Sequence, residues 1–129
     1  MEDPQKIFTL EEANALLPEL ASLLAALQAK RDAFQRFEDQ LFFQEILEGA
    51  VPEESCFQRL EASLIQLETE IGKIRSLGCR LRHAEQGLVD FLARRGGGWI
   101  YYCWQQGEKE IRFYHTLGGG FFERRLLNS

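Results

Sequence analysis

Asp90, Cys103 and Arg112 fall at matching positions of three consecutive segments of alternating polarity, with Tyr101, Tyr114 and Glu110 on the same segments. A guanidinium beside a carboxylate can bind a carboxylate or phosphate ligand. Asp90 would orient that ligand or accept a proton, and the two tyrosines would wall the site. The plainer alternative is a cross-strand Asp90–Arg112 ion pair, contributing up to about 1 kcal/mol and serving only the sheet. Arg112 favours a Cys103 thiolate and Asp90 opposes it, so the residue types make only a weak case for a nucleophilic thiol.

Asp90, Cys103, Glu110 and His115 also include the residue types that ligate metals. Whether they meet depends on strand register, because residues directly opposite in a hairpin share a face. Gly96-Gly97 and Gly107-Glu108 have the composition of tight turn centres. With those centres, one face stacks Leu92-Tyr101-Tyr114, Asp90-Cys103-Arg112 and Leu88-Gln105-Glu110. The other stacks Val89-Trp104-Ile111, Phe91-Tyr102-Phe113 and Ala93-Ile100-His115, almost wholly apolar, and should lie on helices. His115 then points away from Asp90 and Cys103, and Arg112 stands where a cation would sit. No metal or other cofactor is expected on that register. His83 has no ligand spacing to recommend it, and the Gly118-Gly119-Gly120 run lacks the Gly-Lys-Ser/Thr ending of a phosphate loop. With no catalytic triad either, the pattern leans away from an enzyme.

The elements that must position these residues begin with Thr9 and Glu12, a capping-box pair, flanked by Phe8 and Ala13 at staple spacing. They predict a helix from Leu10, kinked or restarted at Pro18, running to about Glu48. Leu20, Leu23, Leu24, Leu27, Phe34, Phe37 and Leu41 form its apolar stripe. After the turn Gly49-Ala50-Val51-Pro52, Ser55 and Gln58 suggest a second capping box. Phe57, Leu60, Leu64, Leu67, Ile71 and Ile74 then form a heptad seam ending at Gly78. The pair is expected as an antiparallel helical hairpin over about 10–77. Phe42, Phe43, Ile46 and Leu47 exceed what one partner helix can cover, so they either fold back around the turn or meet a second copy. Cys79, Leu81 and His83 alternate with Arg80 and Arg82 in a possible edge strand, and residues 88–94, 99–105 and 110–116 complete a meander over about 79–116. In the tail, 117–129, Phe121 and Phe122 should dock, leaving Arg124 and Arg125 free to join Arg112 at an anion site.

The length of 129 residues suits one domain, 1–129, of the α+β class: a long antiparallel helical hairpin packed on a three- or four-stranded antiparallel meander. No apolar run is long enough for a membrane span, and Met1-Glu2-Asp3-Pro4 lacks the pattern of a secretory leader. Three widely spaced cysteines, Cys56, Cys79 and Cys103, suit a reducing compartment and argue against a disulfide framework, so a cytoplasmic location is expected. Residues 1–78 carry 7 basic and 15 acidic side chains, whereas 79–129 carry 8 and 5. An acidic helical half and a weakly basic sheet argue against nucleic acid.

Several short motifs together resemble the family of small prokaryotic proteins called domain of unknown function 2203. They are Phe8-Thr9-Leu10-Glu11-Glu12-Ala13-Asn14, Leu17-Pro18-Glu19-Leu20, Gly87-Leu88-Val89-Asp90-Phe91, Cys103-Trp104, Gly107-Glu108, Glu110-Ile111, His115 and Gly120-Phe121. The chain departs from the family pattern at Leu92, where proline is usual, and at Phe122-Glu123, where a small residue and glycine are. The resemblance implies a helical hairpin with a small sheet and no established activity. The residues point to a non-enzymatic interaction or adaptor module that dimerises through its helices, with a possible further protein partner. The alternative is a small-molecule binder or enzyme working at Asp90, Cys103 and Arg112.

Overall fold

The computed structural model describes residues 5–128; the reading of Met1-Glu2-Asp3-Pro4 lies outside them. Helix α1 spans Leu10–Phe42 and opens as expected. The Thr9 hydroxyl accepts the Glu12 N–H at 3.1 Å, and the Glu12 carboxylate accepts the Thr9 N–H at 3.0 Å. Phe8 and Ala13, the staple pair, are both buried. Pro18 neither kinks nor restarts the element: α1 runs through it unbroken. Pro18 sits on the exposed side while Leu17 and Leu20 are buried, so packing carries the turn that lacks one backbone hydrogen bond. The last turn widens into a π-helical segment, Phe43–Leu47, closed by the Glu48 N–H donating to the Phe43 carbonyl.

Helix α2, Glu54–Ser76, starts before the expected cap. Glu53 is its N-cap without a side-chain bond, and Ser55 lies inside the first turn, so the second capping box does not form. The helix returns along α1, with Glu70 accepting from Lys30 at 2.7 Å and from Lys73 at 3.0 Å. Gly78 follows with φ +90°, and a side chain there would collide with Lys6, whose N–H donates to the Gly78 carbonyl.

Five antiparallel strands follow in sequential order: β1 Arg80–His83, β2 Leu88–Arg95, β3 Gly98–Gln105, β4 Phe113–Thr116 and β5 Arg125–Leu126. The tail supplies the fifth, beyond the three or four expected. Between β2 and β3 the register is as read: Asp90 faces Cys103 and Leu92 faces Tyr101. Between β3 and β4 it is one residue off, because Tyr101 faces His115 instead of Tyr114. Val89, Phe91, Ile111 and Trp104 join Leu17, Leu20, Leu24, Leu27 and Ile74 in one core between sheet and helices. Among the described residues no helix is long and apolar enough to cross a membrane.

The backbone N–H of Thr9 first, and then Lys6, hold the Glu12 carboxyl at about 2, below the usual 4.5. Lys30 and Lys73 lower that of Glu70 as well. Depressed carboxyls stabilise the fold above the unfolded pKa, and that contribution is lost as pH falls through the folded value. Stability should therefore decline from about pH 4.5 toward 2. Thr9→Ala should cost about 1 kcal/mol in urea denaturation at neutral pH and flatten part of that acid limb. An unchanged limb would show that the cap does not hold Glu12.

Candidate functional site

The one-residue shift has a local cause. Instead of a two-residue turn at Gly107-Glu108, the chain wraps around Glu108, whose N–H donates to the Gln105 carbonyl at 3.0 Å. The Glu108 carboxylate accepts the Gln105 N–H at 2.6 Å, and the Glu108 carbonyl accepts the Trp104 indole N–H at 2.9 Å. Further on, Asn14 of α1 accepts the Ile111 N–H at 2.8 Å, which holds this loop against the helix and delays the start of β4 to Phe113. Because side chains alternate, a slip of one residue exchanges every side chain of β4 between faces.

The expected row Asp90-Cys103-Arg112 therefore does not form. Arg112 points to solvent, paired with Glu110 at 3.2 Å, and both line a surface groove of about 480 Å³ with Leu10, Asn14 and Ile111. Tyr114 lies opposite Tyr102, on the face away from Asp90, with Arg95 over its ring. His115, expected on the helical face, instead stands beside Asp90 and Cys103. These three are 1%, 2% and 1% exposed, and their ligating atoms lie within 4.8 Å of one another.

The hydrogen bonds define the group closely. His115 Nδ1 is 2.7 Å from the Thr116 carbonyl, and Nε2 is 3.1 Å from Asp90 Oδ1. A carbonyl only accepts, so Nδ1 carries a hydrogen and the ring turns Nε2 toward the carboxylate. Asp90 Oδ2 is buried and makes no hydrogen bond among the described residues; its nearest cation is Arg82 Nε, at 3.5 Å. Burial pushes the Cys103 thiol up to about 12, reinforced by the charge of Asp90 and opposed by Arg124. Arg112 is not beside it, and Asp90 opposes the thiolate as the residue types suggested, so Cys103 is a protonated thiol at neutral pH and no nucleophile.

Three neighbours seal the group. Tyr101, buried, lies with its ring 5.6 Å from that of His115, and its hydroxyl accepts from Gln5 at 3.1 Å and Arg80 at 3.4 Å. Arg82, at the bulge between Leu81 and His83, reaches Asp90. The tail, residues 117–124, crosses above. A Cβ on Gly119 would lie 3.5 Å from the His115 Cβ, an ordinary contact distance, so the tail passes directly against His115. Phe121 and Phe113 sandwich the Arg124 guanidinium, which also pairs with Glu108 at 3.1 Å. Arg124 is thus spent within the fold, Arg125 belongs to β5, and neither joins Arg112 in an anion site. Phe121 is partly covered as expected, but Phe122 is 99% exposed and does not dock. Arg82 was missed because the sequence reading assigned no register between the first two strands; with Arg80 opposite Asp90, alternation puts Arg82 on the same face.

Two measurements check this arrangement. Arg112→Ala should change stability by less than about 0.5 kcal/mol, as for an exposed pair, whereas Asp90→Ala should cost about 2 kcal/mol or more by stranding buried partners. In the native protein an aromatic disulfide reagent should modify Cys56, which is half-buried, and leave Cys79 and Cys103 untouched until denaturant is added. Rapid modification of all three would contradict the packing.

No curated protein and no solved structure matches the chain significantly. A family model, described as an uncharacterized conserved protein, DUF2203, matches residues 6–127. That span takes in the helix cap, the buried Asp90–Cys103–His115 group and the tail that covers it, so the chain belongs to the DUF2203 family.

Proposed function

We propose that this protein is a non-enzymatic, cytoplasmic interaction module that pairs with a second copy through the far end of its two helices. The observation that carries the reading is the apolar surface at that end. Phe42, Phe43, Ile46 and Leu47 do not fold back around the turn; with Val51 and Phe57 they are exposed. Large apolar side chains left half or more open in one stretch of chain, as Phe42, Phe43, Ile46 and Leu47 are, are of the kind that mark interaction surfaces.

The helices explain why this surface needs a partner. At about 1.5 Å per residue, α1 is roughly 50 Å long and α2 roughly 35 Å. Sheet and helices share a core only as far as Leu27 on α1, with Ile74, Ile71 and Leu67 of α2 against it. Beyond Arg31, which pairs with Glu85 at 3.6 Å, none of the residues of this helical arm up to about 66 belongs to that core. The two helices bury Leu41 between them and leave Phe57, Leu64 and Ile65 outside. A twofold pairing of two such arms makes a four-helix arrangement in which each covers the other's surplus stripe. Three free cysteines fit the reducing compartment this reading assigns.

Residues 31–66 carry 3 basic and 8 acidic side chains, so paired arms repel at low salt. Sedimentation should give twice the 14.9 kDa chain mass at tens of micromolar, and dimerisation should tighten with added salt. Phe43→Glu with Leu47→Glu should give a folded monomer whose melting temperature no longer depends on protein concentration, as the dimer's does. A wild-type protein that stays monomeric at every salt concentration would overturn the proposal.

A further inference from the structure

We infer that Asp90, Cys103 and His115 form a binding site for a divalent transition metal of the zinc class. The inference is independent of the pairing of the helices. It rests on three donors of different chemistry, one carboxylate oxygen, one thiol sulfur and one imidazole nitrogen, delivered by three adjacent strands to one buried point. The ligating atoms already lie within 4.8 Å of one another. Tetrahedral zinc, with bonds of about 2.0–2.3 Å, separates its ligands by roughly 3.5 Å, so the three donors would draw closer on binding the ion.

Two features go beyond proximity. Metal-bound histidines donate their other ring N–H to a carbonyl or carboxylate, which fixes the free nitrogen on the metal. His115 does so through Nδ1 to Thr116, leaving Nε2 facing the group. Asp90 Oδ2 is fully buried and makes no hydrogen bond among the described residues; the Arg82 guanidinium faces it at 3.5 Å, longer than a hydrogen-bonded ion pair, so its lone pairs can take a closer ligand. The Asp90–His115 hydrogen bond occupies Oδ1, and the long Arg82 pair leaves Oδ2 able to turn to an ion held with His115 and Cys103.

The donor set selects among metals. Magnesium and calcium take oxygen ligands and would leave sulfur and nitrogen unused, whereas the mixed O, N, S set suits zinc and its neighbours. Zinc takes cysteine as the thiolate, so binding displaces the Cys103 thiol proton, while Arg82 stays beside Asp90. Three protein ligands leave one tetrahedral position for a water molecule or another small donor. Glu110, exposed and paired with Arg112, takes no part.

The test uses the full-length protein stripped with chelator and titrated with cobalt(II), whose thiolate charge-transfer band and tetrahedral visible bands report the ligands directly. One equivalent should bind per chain, with both signatures, and zinc should displace it. Asp90→Asn, Cys103→Ser and His115→Gln should each weaken binding by at least about 100-fold, and Cys103→Ser should remove the charge-transfer band. His83→Gln, an exposed histidine, should leave the titration unchanged. Because a buried variant can fail to fold, X-ray absorption on zinc-loaded wild-type protein gives a second reading: one sulfur at about 2.3 Å with nitrogen and oxygen near 2.0 Å. Folded wild-type protein that binds no cobalt or zinc, or a spectrum without sulfur, would overturn the inference, as would variants that bind like the wild type.

Discussion

The hydrogen bond from the Ile111 N–H to the Asn14 side chain, with the Glu108 bonds before it, is the constraint on which the sheet's chemistry depends. It holds the loop between β3 and β4 against α1 and delays the fourth strand by one residue. Because side chains alternate along a strand, that one residue decides whether His115 is an isolated polar group among helix-packing side chains or a member of a buried group with Asp90 and Cys103. It also sends Arg112 to solvent. A contact between a helix and a loop thus sets the composition of a site to which neither contributes a ligating side chain.

The rest of the fold serves two separate surfaces. The first half of α1 and the end of α2 cover the apolar face of the sheet, anchored by the Thr9 cap and by the segment before it, where the Phe8 N–H donates to the Leu92 carbonyl. The opposite face is covered by Arg82 and by the glycine-rich tail, which passes in contact with His115 at Gly119. Beyond that body the helices continue as a pair with a single seam. The buried polar group and the exposed apolar arm are therefore structurally independent.

Much of this was legible in the residues. Thr9, Glu12, Phe8 and Ala13 mark the helix start, Gly78 its successor's end, and Gly96-Gly97 the β2–β3 register, each because a local rule acts within a few residues. What was not legible came from contacts distant in sequence. Asn14 meets Ile111, Arg82 meets Asp90 around a bulge, and residues 125–126 add a fifth strand, none of which leaves a local signature. The site illustrates the consequence. Asp90, Cys103, Tyr101 and His115 were all identifiable by type, yet the assumed turn at Gly107-Glu108 separated His115 from the others and put Arg112 in its place.

The most direct test of this register is nuclear Overhauser spectroscopy on the isotopically labelled protein. The His115 ring protons should show contacts to the Cys103 β-protons and the Tyr101 ring, with a cross-strand contact between the α-protons or amides of Tyr101 and His115. Contacts from the His115 ring to Ala93 and Ile100 instead would place it on the helical face, and the buried group of Asp90, Cys103 and His115 would not exist.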